Sequence, residues 1–252
     1  MINRLVSVIM PLHNDEQYLR DAVESVISQS YTNWELLIVD DCSTDASPCI
    51  IEEYCRQDER IRIFKTENPS GSPTLPRNIG IERSGGGYIS FLDSDDQWLP
   101  NKLERQVACF EEHPDAVIVY SNYKKTDEHG RQHRHQVTAP SCTDYGKLLK
   151  GNVIGCLTAI YDAQKIGKRY FAKCGHEDYA LWLSILREGG IAFNTNTVEG
   201  LYRIRGFSVS SNKLRTMKWQ WDIYRKREKL GLLKSLYYFT NYAIKAVKKR
   251  RK

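Results

Sequence analysis

At 252 residues, 41% hydrophobic and 27% charged, the chain has the composition of a globular protein and the length for one substantial core, or one core with a smaller appended region. No stretch approaches the roughly 18 apolar residues of a transmembrane helix, which excludes that class of membrane protein. The net charge of +6 conceals a division: residues 1–212 hold 23 basic and 29 acidic residues, whereas residues 213–252 hold 14 basic and 2 acidic ones.

Taken in order, Val6-Ser7-Val8-Ile9-Met10 predicts a buried strand stopped by Pro11. Asp15 is placed to cap a helix through about Gln29, with Leu19, Val23, Val26 and Ile27 on one face. Trp34 to Val39 predicts a second strand ending in Asp40-Asp41, and Asp45 caps a helix through about Arg56. Ile61 to Phe64 is a third strand, Ser70 to Pro73 a loop, and Leu75 to Ser84 a short helix. Gly85-Gly86-Gly87 reads as a turn before a fourth strand, Tyr88 to Leu92. Near-continuous apolar strands alternating with helices predict a mostly parallel α/β sheet covered on both faces.

Pro11-Leu12-His13-Asn14, Asp40-Asp41 and Asp93-Ser94-Asp95-Asp96 all follow strands, and in an open α/β sheet ligands bind beyond the carboxyl ends of strands. The last of these packs three carboxylates into four residues. Their repulsion must be offset, and hard oxygen ligands suit Mg²⁺ or Mn²⁺. A solvated Asp-rich turn ahead of the next helix is the bland reading of the same motif. No glycine-rich phosphate cradle follows any strand. A phosphorylated ligand would therefore need a metal for charge neutralisation.

Asn101 to Glu112 predicts a helix and Val117 to Tyr120 a strand. Lys124 to Gln136 reads as an exposed loop, and His129, His133 and His135 within it lack partner cysteines for metal ligation. Gly151 to Tyr161 reads as an apolar, strand-like piece. Gly175-His176-Glu177-Asp178 opens an amphipathic helix through Tyr179, Leu181, Trp182 and Ile185. Acids in a first helical turn are favoured by the helix dipole, or they hold a general base at the crevice. Seven cysteines, an odd number without a C-x-x-C pair, and no leader at Met1-Ile2-Asn3-Arg4 predict reduced thiols in a cytoplasmic protein.

Four segments together resemble the family 2 glycosyltransferases of GT-A fold: VSVIMPLHNDEQYLRDAVESVISQSYTNWELLIVDDCSTD, PRNIGIERSGGGYISFLDSDDQWLPNKLERQ, HEDYALWLSILREGG and YRIRGFSVSSNK. GNVIGCLTAIYD, followed by SSNKLRTMKWQWDIYRKREKLGLLKSLYYF, looks like a bacterial subgroup that includes teichuronic acid and surface-polysaccharide biosynthesis enzymes. The resemblance implies a glycosyltransferase domain over 1–212, with a nucleotide-sugar half up to about residue 100 and an acceptor half beyond it. It implies that Pro11, His13, Glu16 and Asp41 line a uridine pocket and that Arg77 and Asn78 contact the nucleotide. Asp93-Ser94-Asp95 matches the DXD motif, with Asp95 the preferred ligand of Mn²⁺ or Mg²⁺, Asp93 supporting it and Ser94 near the ribose. Asp178 matches the catalytic base of an inverting transfer from a UDP-sugar to a saccharide acceptor, expected on a polyprenyl diphosphate lipid. Two positions depart from the pattern: Arg205 stands where many members carry His, and Pro76 where small residues are usual.

From Lys213 on, basic residues interleave with aromatics, and Leu233, Leu236, Tyr237, Ile244 and Val247 recur at helical spacing. Such a helix predicts peripheral association with the anionic cytoplasmic face of a membrane; a helix packed on the body is the alternative. The competing functions are a membrane or nucleic-acid adaptor using the basic tail, a metal-dependent phosphatase and a nucleotidyltransferase. An adaptor has no use for acids at three strand ends. The phosphatase pattern needs Thr or Val after its second Asp, and the nucleotidyltransferase needs a glycine-rich signature after Met10; both are missing. No sequence-specific nucleic-acid partner is expected. Specificity is expected from residues 121–175.

Overall fold

The computed structural model describes residues 4–206 and 213–250. Strand β1 (Val6–Leu12) is buried along its whole length, because a run without polar alternation must be covered on both faces. Val6, Val8, Met10 and Leu12 join one core cluster with Leu19, Val23 and Val26 of α1 (Leu19–Ile27), while Ile9 joins a second cluster on the opposite face. β2 (Trp34–Asp40), β3 (Ile61–Lys65) and β4 (Tyr88–Phe91) complete the first half, linked by α2 (Ser47–Gln57) and α3 (Thr74–Arg83). The tight approach before β4 requires Gly86, where a Cβ would stand 2.7 Å from the Leu5 carbonyl oxygen and the Ser7 nitrogen.

The ten strands form one sheet in the order β3-β2-β1-β4-β9-β6-β10-β5, with β7 beside β6 and β8 beside β10. β1, β2, β3 and β4 run parallel, as do β6 (Ala116–Thr126) and β10 (Ile191–Arg203). β9 (Ile160–Asp162) lies antiparallel between β4 and β6. β5 (Gln97–Trp98), β7 (Gln132–Val137) and β8 (Cys142–Thr143) are short antiparallel additions. The register pairs Leu12 with Asp40 and Ile9 with Phe91, so the carboxyl ends of β1, β2 and β4 open side by side. The expected α/β sheet with helices on both faces is therefore present.

Helix α4 (Lys102–Glu112) follows the acid cluster, and α7 (Glu177–Arg187) is the amphipathic helix expected after His176. Two short helices, α5 (Tyr145–Leu148) and α6 (Ala163–Ile166), lie between β8 and α7. Some expectations change. Residues 124–136 form a hairpin and not a loop, since β6 continues to Thr126 and β7 returns beside it. β7 is exposed except at its last residue, so backbone pairing holds it and no apolar alternation announces it. Gly151 to Tyr161 is not one strand. It runs irregularly into a 3₁₀ turn (Cys156–Thr158), and only its last residues enter β9. Helices α1 and α2 start a few residues after Asp15 and Asp45, whose side chains are engaged elsewhere or cap the preceding turn.

Beyond residue 212, α8 (Lys213–Asp222) runs into a π-helical turn (Ile223–Arg227) and then α9 (Leu232–Arg250). Ile223 and Tyr224 are buried in the second core cluster, and Tyr238 and Phe239 pack against it. The first part of the basic segment is thus docked on the body. Leu232, Leu233, Leu236, Tyr237 and Ile244 remain exposed along α9. Val247 lies beyond the residues whose side chains are described.

Candidate active site

A cavity of about 370 Å³ opens where β1, β2 and β4 end, lined by Pro11, His13, Asp41, Arg77, Asp93, Ser94 and Asp95 among others. Asp41 is buried. Its carboxylate accepts from the Thr66 hydroxyl at 2.9 Å and from the Ser70 amide and hydroxyl at 2.9 and 2.8 Å. Burial pushes this carboxyl up, but the Ser70 and Thr66 donors outweigh it and hold it below the ordinary carboxylate range. His13 donates from Nδ1 to the Asp41 carbonyl oxygen at 2.8 Å.

Two expected nucleotide contacts lie elsewhere. Glu16 is exposed, outside the lining of this cavity, and accepts from the Ala46 amide at 2.7 Å near the start of α2. The Asn78 side chain donates to the Phe171 carbonyl at 2.9 Å and accepts from the Phe171 amide at 2.8 Å. It fixes the 170s segment, which brings the Phe171 ring to 5.1 Å from the Arg77 guanidinium.

The three carboxylates after β4 have three different surroundings. Asp93 pairs with buried Arg77 at 2.5 Å. Asp95 pairs with Arg205 at 2.8 Å, and Arg205 also reaches Asp15 at 2.5 Å. Asp96 is buried and accepts the Arg203 amide at 2.8 Å. Burial, with Asp93 and Asp15 beside it, pushes the Asp95 carboxyl up to about 6 even against the pull of Arg205. Burial likewise holds Asp96 well above its ordinary value. Ser94 donates to Asp15, a residue the sequence reading used only as a helix cap.

The fit to a divalent cation turns on charge and donor type. Among the described residues no three His, Cys, Asp or Glu side chains close a metal cage. Three carboxylates (Asp15, Asp93, Asp95) face two guanidiniums (Arg77, Arg205), and the Arg203 guanidinium is taken by Asp21, so the site is short of positive charge before any diphosphate enters. A hard cation held by one or two carboxylates and completed by phosphate oxygens and water suits such a site. Asp95 and Asp93 provide that oxygen set, with Arg205 sharing the task at Asp95.

A second cavity, about 1140 Å³, adjoins the first and shares Arg77 and Asp93 with it. Its wall includes Asp178, in the first turn of α7. His176 just before that helix takes a left-handed backbone, φ 56°, which begins α7 abruptly. Burial raises the Asp178 carboxyl above its ordinary value, partly opposed by His176, by Arg77 and by Asn152, which donates to Asp178 Oδ2 at 3.0 Å. Glu177 beside it faces Arg77 at 3.9 Å. Tyr123 and Tyr202 meet edge to face, ring centres 6.1 Å apart, in the same wall.

Two contributors escape the sequence. Nothing in the neighbourhood of Asn152 marks it as the partner of Asp178, 26 positions away. Trp219 of α8 lies so close over Gly175 that a Cβ there would stand 2.0 Å from the indole ring, and its ring meets His176 edge-on at 5.5 Å. An aromatic in a basic helix reads as a membrane anchor; here Trp219 lines the larger cavity beside the start of α7.

Comparison with known proteins shows the family and the fold. The model of the family described as "Glycosyl transferase family 2" matches residues 7–165. The chain is 39% identical over 247 residues to TuaG of Bacillus subtilis, provisionally named as a teichuronic acid biosynthesis glycosyltransferase, covering 98% of this chain and 97% of that one. It is 36% identical over 250 residues to WfgD of Escherichia coli, a UDP-Glc:alpha-D-GlcNAc-diphosphoundecaprenol beta-1,3-glucosyltransferase, covering 99% and 96%. The fold is similar to that of S. aureus TarS 1–349 in complex with UDP-GlcNAc, with TM-score 0.73, 21% identity, and 94% and 71% of the two chains covered.

Proposed function

The chain belongs to glycosyl transferase family 2, and on that premise we propose that it is an inverting enzyme that moves a hexose from a UDP-sugar to a hydroxyl of a saccharide carried on a lipid diphosphate. The setting we assign is assembly of a bacterial surface polysaccharide, in keeping with the names of its relatives TuaG and WfgD. The observation that carries the reading is the pair of adjoining cavities that share Arg77 and Asp93, with a half-buried carboxylate, Asp178, in the wall of the larger one.

In this reading His13 and Asp41 face the base and Arg77 faces the diphosphate. The acceptor hydroxyl attacks the anomeric carbon from the side opposite the diphosphate. A carbon–oxygen bond forms there, the bond to the β-phosphate oxygen breaks, and UDP leaves with its electron pair. Asp178 takes the hydroxyl proton. Burial raises its carboxyl, which makes it a stronger base than an ordinary carboxylate. Arg77 and Arg205 are permanent cations next to the leaving group. Asp95 and Asp93 would hold a divalent cation, which would supply Lewis-acid stabilisation of the developing charge. One displacement with one base inverts the anomeric centre, so an α-linked donor yields a β-glycoside.

The exposed Leu232, Leu233, Leu236, Tyr237 and Ile244, set among lysines and arginines, support peripheral docking of α9 on an anionic membrane surface. No helix among the described residues is long and apolar enough to cross a membrane. The decisive experiment incubates the protein and Mn²⁺ with a panel of UDP-hexoses and an N-acetylglucosaminyl diphosphate alkyl acceptor, reading anomeric configuration by NMR. A β-linked product is expected. An α-linked product sinks the single-displacement mechanism, and hydrolysis of the donor without transfer to this acceptor sinks its assignment.

A further inference from the structure

The large cavity has cations that the proton chemistry leaves unused. Lys245 of α9 lies in its wall together with Lys173 and Arg215. The Lys245 stem packs over Gly151, where a Cβ would meet its Cδ at 3.7 Å and the Tyr242 ring at 3.9 Å. Gly151 has φ +132°, so a side chain there would strain the backbone as well as crowd this contact. The next residue is Asn152, the hydrogen-bond donor to Asp178. Lys245, Asn152 and Asp178 therefore share the wall of this cavity, with Gly151 joining the first two from behind.

Its charge is uncompensated. Burial and the nearby Lys150 ammonium both depress Lys245, and among the described residues neither lysine has an ion pair. Lys147 and Lys226, by contrast, are each paired with an aspartate. Two ammonium groups held together without a counter-charge cost energy that an anionic ligand would recover.

We propose that Lys245, Lys173 and Arg215, which line this cavity, with Lys150 near Lys245, form a subsite for the anomeric phosphate or diphosphate of the acceptor. The acceptor sugar then presents its hydroxyl to Asp178 and its phosphate to the lysines. The enzyme selects an anionic glycosyl phosphate over a neutral sugar of the same shape. This rests on the reading of the acceptor given above, and it adds the residues that read the phosphate.

The test compares N-acetylglucosaminyl diphosphate, N-acetylglucosaminyl monophosphate and phosphate-free N-acetylglucosamine, each carrying the same short alkyl chain in detergent-free solution. Lys245→Met keeps the stem over Gly151 and removes the charge. It is expected to raise KM for the diphosphate acceptor about 10-fold, the equivalent of about 1.4 kcal/mol. KM for the phosphate-free acceptor and for the donor should stay unchanged, and Lys245→Arg should restore the wild-type ratio. Lys150→Met with Lys245→Met should raise KM further.

If the wild-type enzyme glycosylates none of the three, the acceptor reading falls and the subsite with it. If it glycosylates the diphosphate acceptor but Lys245→Met leaves the KM ratio unchanged, the subsite alone is overturned. Loss of sedimentation with phosphatidylglycerol vesicles, at an unchanged KM for the soluble acceptor, would assign the lysines to lipid headgroups and equally overturn it.

Discussion

The two cavities share a wall but are built in opposite ways. Around the cavity assigned to the donor the carboxylates are held by hydrogen-bond donors or guanidiniums: Asp41 by Ser70 and Thr66, Asp93 by Arg77, Asp95 by Arg205, and Asp96 by the Arg203 amide. These contacts join strand ends whose spacing the sheet register already sets. On the acceptor side, Asp178 has one side-chain partner among the recorded hydrogen bonds, Asn152, and the wall is completed by helices from the end of the chain. The division is between polar groups set at neighbouring strand ends and a wall closed by segments far apart in sequence; in the reading proposed above the first meets the constant nucleotide and the second the variable acceptor. Irregular segments on a rigid scaffold are where specificity is free to change.

The largest effect that would break this division is at the base. Asp178→Asn is expected to lower kcat roughly a thousandfold while UDP affinity, measured by calorimetry, changes less than about twofold. Normal turnover in this variant would move the proton chemistry out of the acceptor half. Next is Arg77→Met, which strands Asp93 and Glu177. Removing one member of a buried ion pair costs about 3–5 kcal/mol, and about 2 kcal/mol is expected here because Asp93 is 35% exposed. Urea unfolding checks this, and donor KM should rise in parallel because both cavities share the residue.

Asn152→Ala tests the single tie on the acceptor side. It should reduce kcat about 10- to 100-fold at neutral pH with donor KM and urea midpoint unchanged. It should also move the pH profile. The Asn152 hydrogen bond favours the ionised carboxylate, so its loss raises the Asp178 pKa further. Activity needs the ionised base and is lost as pH falls through that pKa, so the acid limb shifts to higher pH in the variant. An acid limb that stays put would show that another group sets it. The smallest effect is expected at Glu16→Ala: less than about 1 kcal/mol of stability and an unchanged UDP affinity, because its carboxylate caps the Ala46 amide at an exposed position. A large rise in donor KM here would return Glu16 to the nucleotide pocket.

The donor half was legible in the sequence because it is local. Continuous apolar runs at Val6–Met10 and Trp34–Val39 announce strands, polar residues follow each of them, and adjacent parallel strands bring those ends together. Even there, family likeness misplaced two side chains, since likeness fixes a residue's position but not its rotamer: Asn78 turns to Phe171 and Glu16 to Ala46. The acceptor half was poorly legible because it is assembled across the chain. Asn152 meets Asp178, Lys245 meets Gly151, and Trp219 meets Gly175, pairs that no periodicity links. β7 was missed for a different reason: an exposed strand held by backbone pairing leaves no hydrophobic pattern.

The contact between Trp219 and Gly175 carries an evolutionary consequence. With 2.0 Å between the indole and the place a Cβ would occupy, neither position is free to vary alone. Among relatives, a side chain at the position of Gly175 should coincide with a smaller residue at that of Trp219. Each such paired exchange would reshape the acceptor cavity while leaving the donor cavity untouched, so a lineage could acquire a new acceptor through two compensating substitutions.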